Sequence, residues 1–295
     1  MGIFNIDIII VTRNRPVYLD TCVKHICSNT LKPKFLIIID SSTLINHELK
    51  NTIKLATSRN GIALKYYNIP FKGVGFSRNF SLTKVKSPYF VFIDDDEYAP
   101  KQWLSHISGI LKKNKKIRVL AGPKIPTDLS NYWHEVWYAL SEKEHSYSGI
   151  VNTIPSGNSC YQTQLIRKYK LKFDDRFVEC SEDQAFSDEL RKNNITIYFS
   201  AKVWVGHDLR RSFVFFIKQW FFYGKNKFLY HKYCLGSGSL LEISKIQATM
   251  CNLFKSFSYR ISLSRIQIYP GFILLNFMFL CGYIYSLGQS AKKSR

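Results

Sequence analysis

The sequence predicts an α/β fold: a mostly parallel sheet flanked by helices, with an aromatic and basic helical appendage at the C-terminal end. Three observations predict it. Apolar runs rich in β-branched residues recur at 6–11, 34–40, 64–67 and 89–93, each long enough for a buried strand. Segments with helical spacing separate these runs, and such alternation calls for crossover helices and parallel strands. Finally, three of the runs end on polar groups, at Thr12, Asp40 and Asp94-Asp95-Asp96. Open sheets of this class bind ligands at the carboxyl ends of their strands.

The elements follow in order. Strand 6–11 runs into the polar Thr12-Arg13-Asn14-Arg15-Pro16. A helix over 18–28 carries Leu19, Val23 and Ile26 on one side. Strand 34–40 is followed by a looser helix (45–59) and a third strand at 64–67. A helix opens near Gly75-Phe76-Ser77, and strand 89–93 leads directly into the aspartates. Residues 119–200 are less regular. They hold an aromatic segment (Tyr132, Trp133, Trp137, Tyr138), a strand-like 157–161 and a helix at 183–192. A last strand is predicted at 203–205, just before Gly206-His207.

The chain has 295 residues, 46% hydrophobic and 21% charged, which supports a packed core and excludes wholesale disorder. Its net charge of +21, from 42 Lys plus Arg against 21 Asp plus Glu, favours an anionic partner: nucleic acid, an anionic membrane or a phosphorylated substrate. The seven cysteines (Cys22, Cys27, Cys160, Cys180, Cys234, Cys251, Cys281) lack a CxxC pair, so reduced thiols are expected rather than a disulfide framework or zinc site. The opening residues carry no basic segment followed by a long apolar stretch, so no secretory signal is expected.

Three consecutive aspartates after an apolar strand repel one another unless a cation neutralises them. Mg²⁺ or Mn²⁺ is held by one or two carboxylates together with substrate phosphates. The alternative is a helix N-terminus, where acids are welcome, with Pro100 and Trp103 marking a helix start. Glu182-Asp183 also reads as good first-turn electrostatics. In the order triplet, acidic pair, His207, however, a carboxylate could serve as general base on an acceptor hydroxyl. The imidazole could complete a metal site.

This ordered set resembles glycosyltransferase family 2, whose members have the GT-A fold, a Rossmann-like nucleotide-diphospho-sugar transferase architecture. The resemblance is carried by Ile10-Val11-Thr12-Arg13-Asn14-Arg15-Pro16, Ile39-Asp40-Ser41-Ser42, Gly75-Phe76-Ser77-Arg78-Asn79 and Phe92-Ile93-Asp94-Asp95-Asp96. It continues through Pro155-Ser156-Gly157-Asn158, Phe173-Asp174-Asp175-Arg176-Phe177, Glu182-Asp183 and His207. It implies an inverting, metal-dependent enzyme. Thr12, Arg15 and Asp40 would line the nucleotide pocket, with Arg78 and Asn79 near nucleotide and sugar. Asp94 would face the ribose or sugar, Asp96 and His207 would hold the Mg²⁺ or Mn²⁺, and Asp95 could share either task. Gly157, Asn158 and Glu182 would stand on the acceptor side, and Asp183 would be the catalytic base. The implied domains are a catalytic 1–225, divided into a nucleotide-sugar half (1–100) and an acceptor half (101–225), and a helical C-terminal region at 226–295.

Processive members of the family carry Gln-x-x-Arg-Trp after the base. Here that place reads Phe216-Ile217-Lys218-Gln219-Trp220, so single-sugar transfer is expected. Residues 213–233 mix aromatics with Lys and Arg, a composition suited to a membrane interface. The uncharged 271–288 stands at the lower edge of the ~20 residues that span a bilayer. Basic residues flank it on both sides (Lys255, Arg260, Arg265; Lys292, Lys293, Arg295), which a cytosolic hairpin or an in-plane helix explains better than a single crossing. The expected setting is the cytoplasmic face of the cell membrane, with a glycan or lipid-linked acceptor.

Two other readings compete. A sugar nucleotidyltransferase would place a glycine-rich phosphate loop after the first strand, where this chain has none. A basic nucleic-acid or membrane-binding protein without catalysis would cluster Lys and Arg on one recognition element. Here acids occupy the strand ends, so nucleic acid is not expected as a partner.

Overall fold

The computed structural model describes residues 5–210, 212–236 and 267–293. Its strands are β1 (Ile6–Thr12), β2 (Phe35–Asp40), β3 (Ala63–Asn68), β4 (Tyr89–Phe92), β5 (Glu97–Tyr98), β6 (Val119–Ala121), β7 (Lys124–Pro126), β8 (Ser148–Val151), β9 (Ser159–Gln162), β10 (Ile197–Ser200) and β11 (Val205–His207). The helices are α1 (Pro16–Cys27), α2 (His47–Arg59), α3 (Val74–Leu82), α4 (Trp103–Lys113), α5 (Tyr132–Ser146), α6 (Thr163–Tyr169), α7 (Glu182–Lys192), α8 (Phe213–Cys234) and α9 (Tyr269–Lys293).

Eight strands form one sheet in the order β3-β2-β1-β4-β9-β6-β10-β8. The run from β3 to β4 is parallel. β9 enters antiparallel between β4 and β6, and β8 closes the far edge antiparallel to β10. The sheet is thus mixed, with its parallel half where the sequence shows strand–helix alternation. A three-stranded sheet, β5-β11-β7, stands beside it in the topology.

β1 is apolar along nearly its whole length because both faces are covered. Ile8 and Ile10 join a core with Leu19, Val23 and Ile26 of α1 and Trp103, Leu104 and Ile107 of α4. Ile9 faces the other way, into a core with Ile37, Ile39, Phe92, Leu165 of α6 and Phe186 and Leu190 of α7. Each such side chain, fully removed from water, contributes about 1.5–3 kcal/mol. The one acid in this strand, Asp7, is also buried, and it accepts from the backbone nitrogens of Lys86 (2.9 Å) and Ser87 (3.0 Å). A buried carboxylate is tolerated there because its oxygens are hydrogen-bonded.

Local signals set the helix ends. Pro16 opens α1, where its fixed φ suits the first turn and its missing N–H costs nothing. Asn46 caps α2 by accepting from Leu49 N at 2.9 Å.

The sheet turns at β1: the chain passes to β2 on one side and pairs with β4 on the other. That is a topological switch point, and the crevice beyond the carboxyl ends of β1 and β4 is where a ligand fits.

By compactness the chain divides into two units. The first comprises Met1–Thr127, Glu144–Val178 and Glu182–Asp208, and the second Asp128–Lys143, Glu179–Ser181 and Leu209–Arg295. The second contains α8 and α9 and a core of Val136, Leu209, Phe216, Phe272 and Leu275. Cys22, Cys27, Cys160, Cys180, Cys234 and Cys281 are free thiols. Cys251, Arg211 and the basic Lys255, Arg260, Arg265 and Arg295 lie outside the described residues.

Candidate active site

The aspartates occupy the turn between β4 and β5. α4 begins only at Trp103, beyond β5, so the triplet does not cap a helix. The turn closes on itself, because Asp94 N donates to Glu97 Oε2 at 3.0 Å. It is held by cations from three separate parts of the chain.

Arg15, in the loop after β1, straddles two acids: Nη1 lies 2.6 Å from Asp95 Oδ1 and Nη2 2.6 Å from Asp96 Oδ2. Thr12, the last residue of β1, donates to Asp95 Oδ2 at 2.7 Å. Lys124, the first residue of β7, reaches Asp94 Oδ2 at 2.9 Å and also pairs with Glu97. Arg78 of α3 donates to Asp94 Oδ1 at 3.0 Å with one nitrogen and to Glu182 with the other. Glu182 also accepts from Ser156 Oγ at 3.2 Å.

These neighbours separate the acids electrostatically. Burial works against ionising Asp94, but Lys124 and Arg78 override it and hold the carboxyl well below the usual range. Burial pushes Asp95 up to about 7, Glu97 up to about 8 and Glu182 up to about 7. Lys124 is held firmly protonated: burial lowers its pKa, but Asp94 and Glu97 more than compensate. Asp183, next to Glu182 at the start of α7, is raised chiefly by burial. Its Oδ1 accepts from Gln184 N at 2.7 Å.

His207 ends β11, and its Nε2 lies 3.7 Å from Asp96 Oδ1. The sequence expects a strand at 203–205. The strand runs over Val205–His207 instead, because Val203 is tied into a turn by its N–H, which donates to Ser200 O at 3.0 Å. Pairing with Glu97 in β5 and Pro126 in β7 brings the imidazole to the triplet. Burial pushes His207 down to about 4, so the ring is neutral at physiological pH.

Asp96 and His207 fit a divalent cation. Asp96 supplies a hard oxygen and the neutral imidazole a nitrogen lone pair, and both side chains remain partly exposed. Among the described residues no group of three or more His, Cys, Asp or Glu side chains has metal-binding spacing. Two such ligands would leave the remaining positions to substrate oxygens and water.

Asp40 closes β2 away from the triplet. It accepts from Tyr66 OH at 2.7 Å and from Ser42 N at 2.9 Å. A small hollow lined by Thr12, Asn14, Arg15, Asp40, Ser42 and Tyr66 opens beside it and leads toward Arg15.

The other expected site residues stand as follows. Gly157 packs over the charged cluster: a Cβ there would lie 2.3 Å from Asp94 Oδ2, 2.4 Å from Glu97 Oε1 and 2.6 Å from Lys124 Nζ. Asn158 spends its amide on the chain, donating to Pro123 O (3.1 Å) and Val203 O (2.6 Å) and accepting from Trp103 Nε1 (2.9 Å). Asn79 likewise pins the loop after α6, donating to Phe173 O at 2.9 Å and Asp175 Oδ1 at 2.8 Å. Sequence reasoning misses Lys124, Glu97, Ser156 and Tyr66. Only Lys124 carries a signal, as a lone Lys after the apolar 119–121 and a Gly-Pro pair.

The model of a family described as "Glycosyl transferase family 2" matches residues 7–173. Among curated proteins none matches the sequence. Among solved structures, the crystal structure of S. aureus TarS is similar, with 19% identity and a TM-score of 0.52, covering 70% of this chain and 37% of that chain. This chain therefore spans about a third of that protein's length. Two structures of S. aureus TarS 1-349 are covered more fully. One has 16% identity and a TM-score of 0.53, and the other, in complex with UDP, has 17% identity and a TM-score of 0.54. Each alignment covers 99% of this chain and 92% of that one. The likeness establishes the GT-A fold, with a large mixed sheet between helices and an added C-terminal apolar helix. The family match covers more than half of the chain, including β1, β2 and the acidic triplet, and the chain belongs to glycosyltransferase family 2.

Proposed function

We propose that the protein transfers a single sugar from a nucleoside-diphosphate sugar to an acceptor hydroxyl, with inversion at the anomeric carbon. One observation carries the reading: Arg78 links Asp94, on the strand-end triplet, to Glu182, beside Asp183. A donor-side acid and a candidate acceptor-side base are thereby held in one fixed network. UDP bound to the similar TarS 1-349 supports a nucleotide-sugar donor.

In this reading the base of the donor lies in the hollow by Asp40 and Tyr66, and Thr12 and Arg15 approach its phosphates. Asp94 accepts from a ribose or sugar hydroxyl, kept ionised for that task by Lys124 and Arg78. Asp96 and His207 hold the divalent cation, with Asp95 alongside. When bound, that cation supplies Lewis-acid stabilisation of the departing diphosphate. Asp183 takes the proton of the acceptor hydroxyl as the oxygen attacks opposite the leaving group. Its raised pKa makes it a stronger base than an exposed aspartate. Gly157 lets the chain close directly over Asp94 and Lys124, while Asn158 and Asn79 stiffen the surrounding chain.

The acceptor in this reading is a glycan or lipid-linked molecule at the cytoplasmic face of the cell membrane. Residues 1–225 would be catalytic and 226–295 membrane-associated. The test is a screen of radiolabelled nucleotide sugars, with Mn²⁺ or Mg²⁺, against a membrane lipid extract. Transfer from one donor supports the reading, and metal-independent transfer at full rate contradicts the cation's role. A second reading, nucleotidyl transfer, would instead show nucleoside triphosphate consumption.

A further inference from the structure

α9 buries polar as well as apolar side chains and leaves an apolar stripe exposed. Asn276 (4% exposed), Tyr283 (2%) and Ser286 (6%) are turned inward, whereas Ile273 (57%), Phe277 (57%), Ile284 (52%) and Tyr285 (52%) face outward. The outward residues recur at helical spacing and form one stripe. Two of the inner polar side chains find partners, although Asn276 Oδ1 is buried without one among the described residues. Asn276 Nδ2 donates to Phe272 O at 2.8 Å, and Tyr283 OH lies 2.8 Å from His231 Nδ1 of α8. In water a helix hides its apolar side. The exposed stripe of Ile273, Phe277, Ile284 and Tyr285 departs from that rule and suits contact with acyl chains.

α8 and α9 pack backbone to backbone. A Cβ on Gly224 would lie 1.8 Å from Phe279 O, and one on Gly282 would lie 1.9 Å from Phe221 O. Such reciprocal glycine contacts are a mode of helix pairing in lipid. The helices also run in the same direction. Phe216 shares a core with Phe272 and Leu275, and Lys232 Nζ donates to Ser290 Oγ at 2.7 Å.

That pairing decides how α9 can meet a bilayer. Its 23 residues Tyr269–Ala291 are long and apolar enough to cross. A crossing, however, would carry α8 with it, drawing Lys218, Lys225, Lys227 and Lys232 into hydrocarbon. Lys225 N would be only 3.0 Å from a Cβ on Gly282, about halfway along α9. Lying flat instead, α9 can place its stripe among acyl chains while the α8 lysines reach anionic headgroups.

We propose that α8 and α9 form an in-plane anchor, with Ile273, Phe277, Ile284 and Tyr285 inserted into the outer acyl layer of an anionic bilayer. This rests on the membrane-surface reading above, narrows it to two helices and moves its start to Phe213. The full chain is mixed with phosphatidylglycerol/phosphatidylcholine vesicles or with phosphatidylcholine alone, and floated on a density gradient. Flotation is expected with the anionic vesicles. Phe277→Glu combined with Ile284→Glu should reduce it about tenfold, with an unchanged melting temperature because both side chains are exposed. A fluorophore on Ile284→Cys, corrected for the identically treated wild type, should be quenched more by spin labels near the headgroup than by labels at the bilayer centre. Stronger quenching at the centre would mean a spanning helix and overturn the proposal. Wild-type flotation of the double variant would overturn it too, leaving the membrane reading intact. No flotation at all would overturn both, as would a dimer in solution that the double variant converts to monomer. Transfer to a soluble acceptor, assayed without vesicles, reports on the catalytic reading separately.

Discussion

Arg78 Nη2 donates to Asp94 Oδ1 at 3.0 Å, fixing α3 to the turn that follows β4. The other arm of the same guanidinium holds Glu182. Glu182 has Ser156 as its other side-chain partner, so losing Arg78 strands a buried carboxylate. Arg78→Leu is therefore expected to destabilise the fold by about 3 kcal/mol, measured by urea unfolding. Arg78→Lys should recover only part of this, since an ammonium lacks the planar fork that bridges two acids.

Gly157→Ala tests the close approach over the charged cluster. An added Cβ meets Asp94 Oδ2 at 2.3 Å and Lys124 Nζ at 2.6 Å, so those groups must shift. The expected loss in kcat/KM is about 10²-fold, the cost of an ångström-scale misplacement. A variant with wild-type kinetics would show that Asp94 and Lys124 are not held in a reactive geometry.

Arg15 occupies Asp96 Oδ2 at 2.6 Å, an oxygen that would otherwise be free for a cation. Arg15→Ala should tighten Mn²⁺ binding in the absence of nucleotide by about tenfold and weaken nucleoside diphosphate binding. Both are read by electron paramagnetic resonance of free Mn²⁺ with and without the nucleotide. Unchanged Mn²⁺ affinity would count against Asp96 as a metal residue.

The pH profile follows from the proposed role of Asp183 as base. Its pKa is raised chiefly by burial, and a base must be ionised to work. Activity therefore falls as pH drops through the raised value. The acid limb of kcat/KM should lie above the ~4 of an ordinary aspartate. A limb at or below that value would point to an exposed, unperturbed base.

Much of this was legible in the sequence because burial on both faces leaves a plain mark. β1, β2 and β4 are largely apolar runs, and Thr12, Asp40 and the triplet stand at their ends. Lys124 and Glu97 escaped for the opposite reason. They sit in strands of three and two residues, too short for any periodicity, and their partners are set by chain approach rather than spacing. Asn79 and Asn158 illustrate a different limit. Their positions follow a family pattern, but the hydrogen bonds that occupy their amides come from Phe173, Pro123 and Val203, which only the folded chain brings near. The exposed apolar stripe of α9 was hidden as well, since composition shows an apolar helix but not which side faces out.

The most direct test of the account is Asp183→Asn, with turnover and donor binding measured on the same preparation. Asp183 is partly exposed, its carboxylate accepts one backbone hydrogen bond at 2.7 Å, and the amide oxygen can accept that bond as well, so the fold should be kept. The account predicts that kcat falls by about 10²–10⁴-fold, while calorimetry gives a nucleotide-sugar Kd close to that of the wild type. Near-normal turnover with intact donor binding would contradict the assignment of the base, and with it the proposed mechanism.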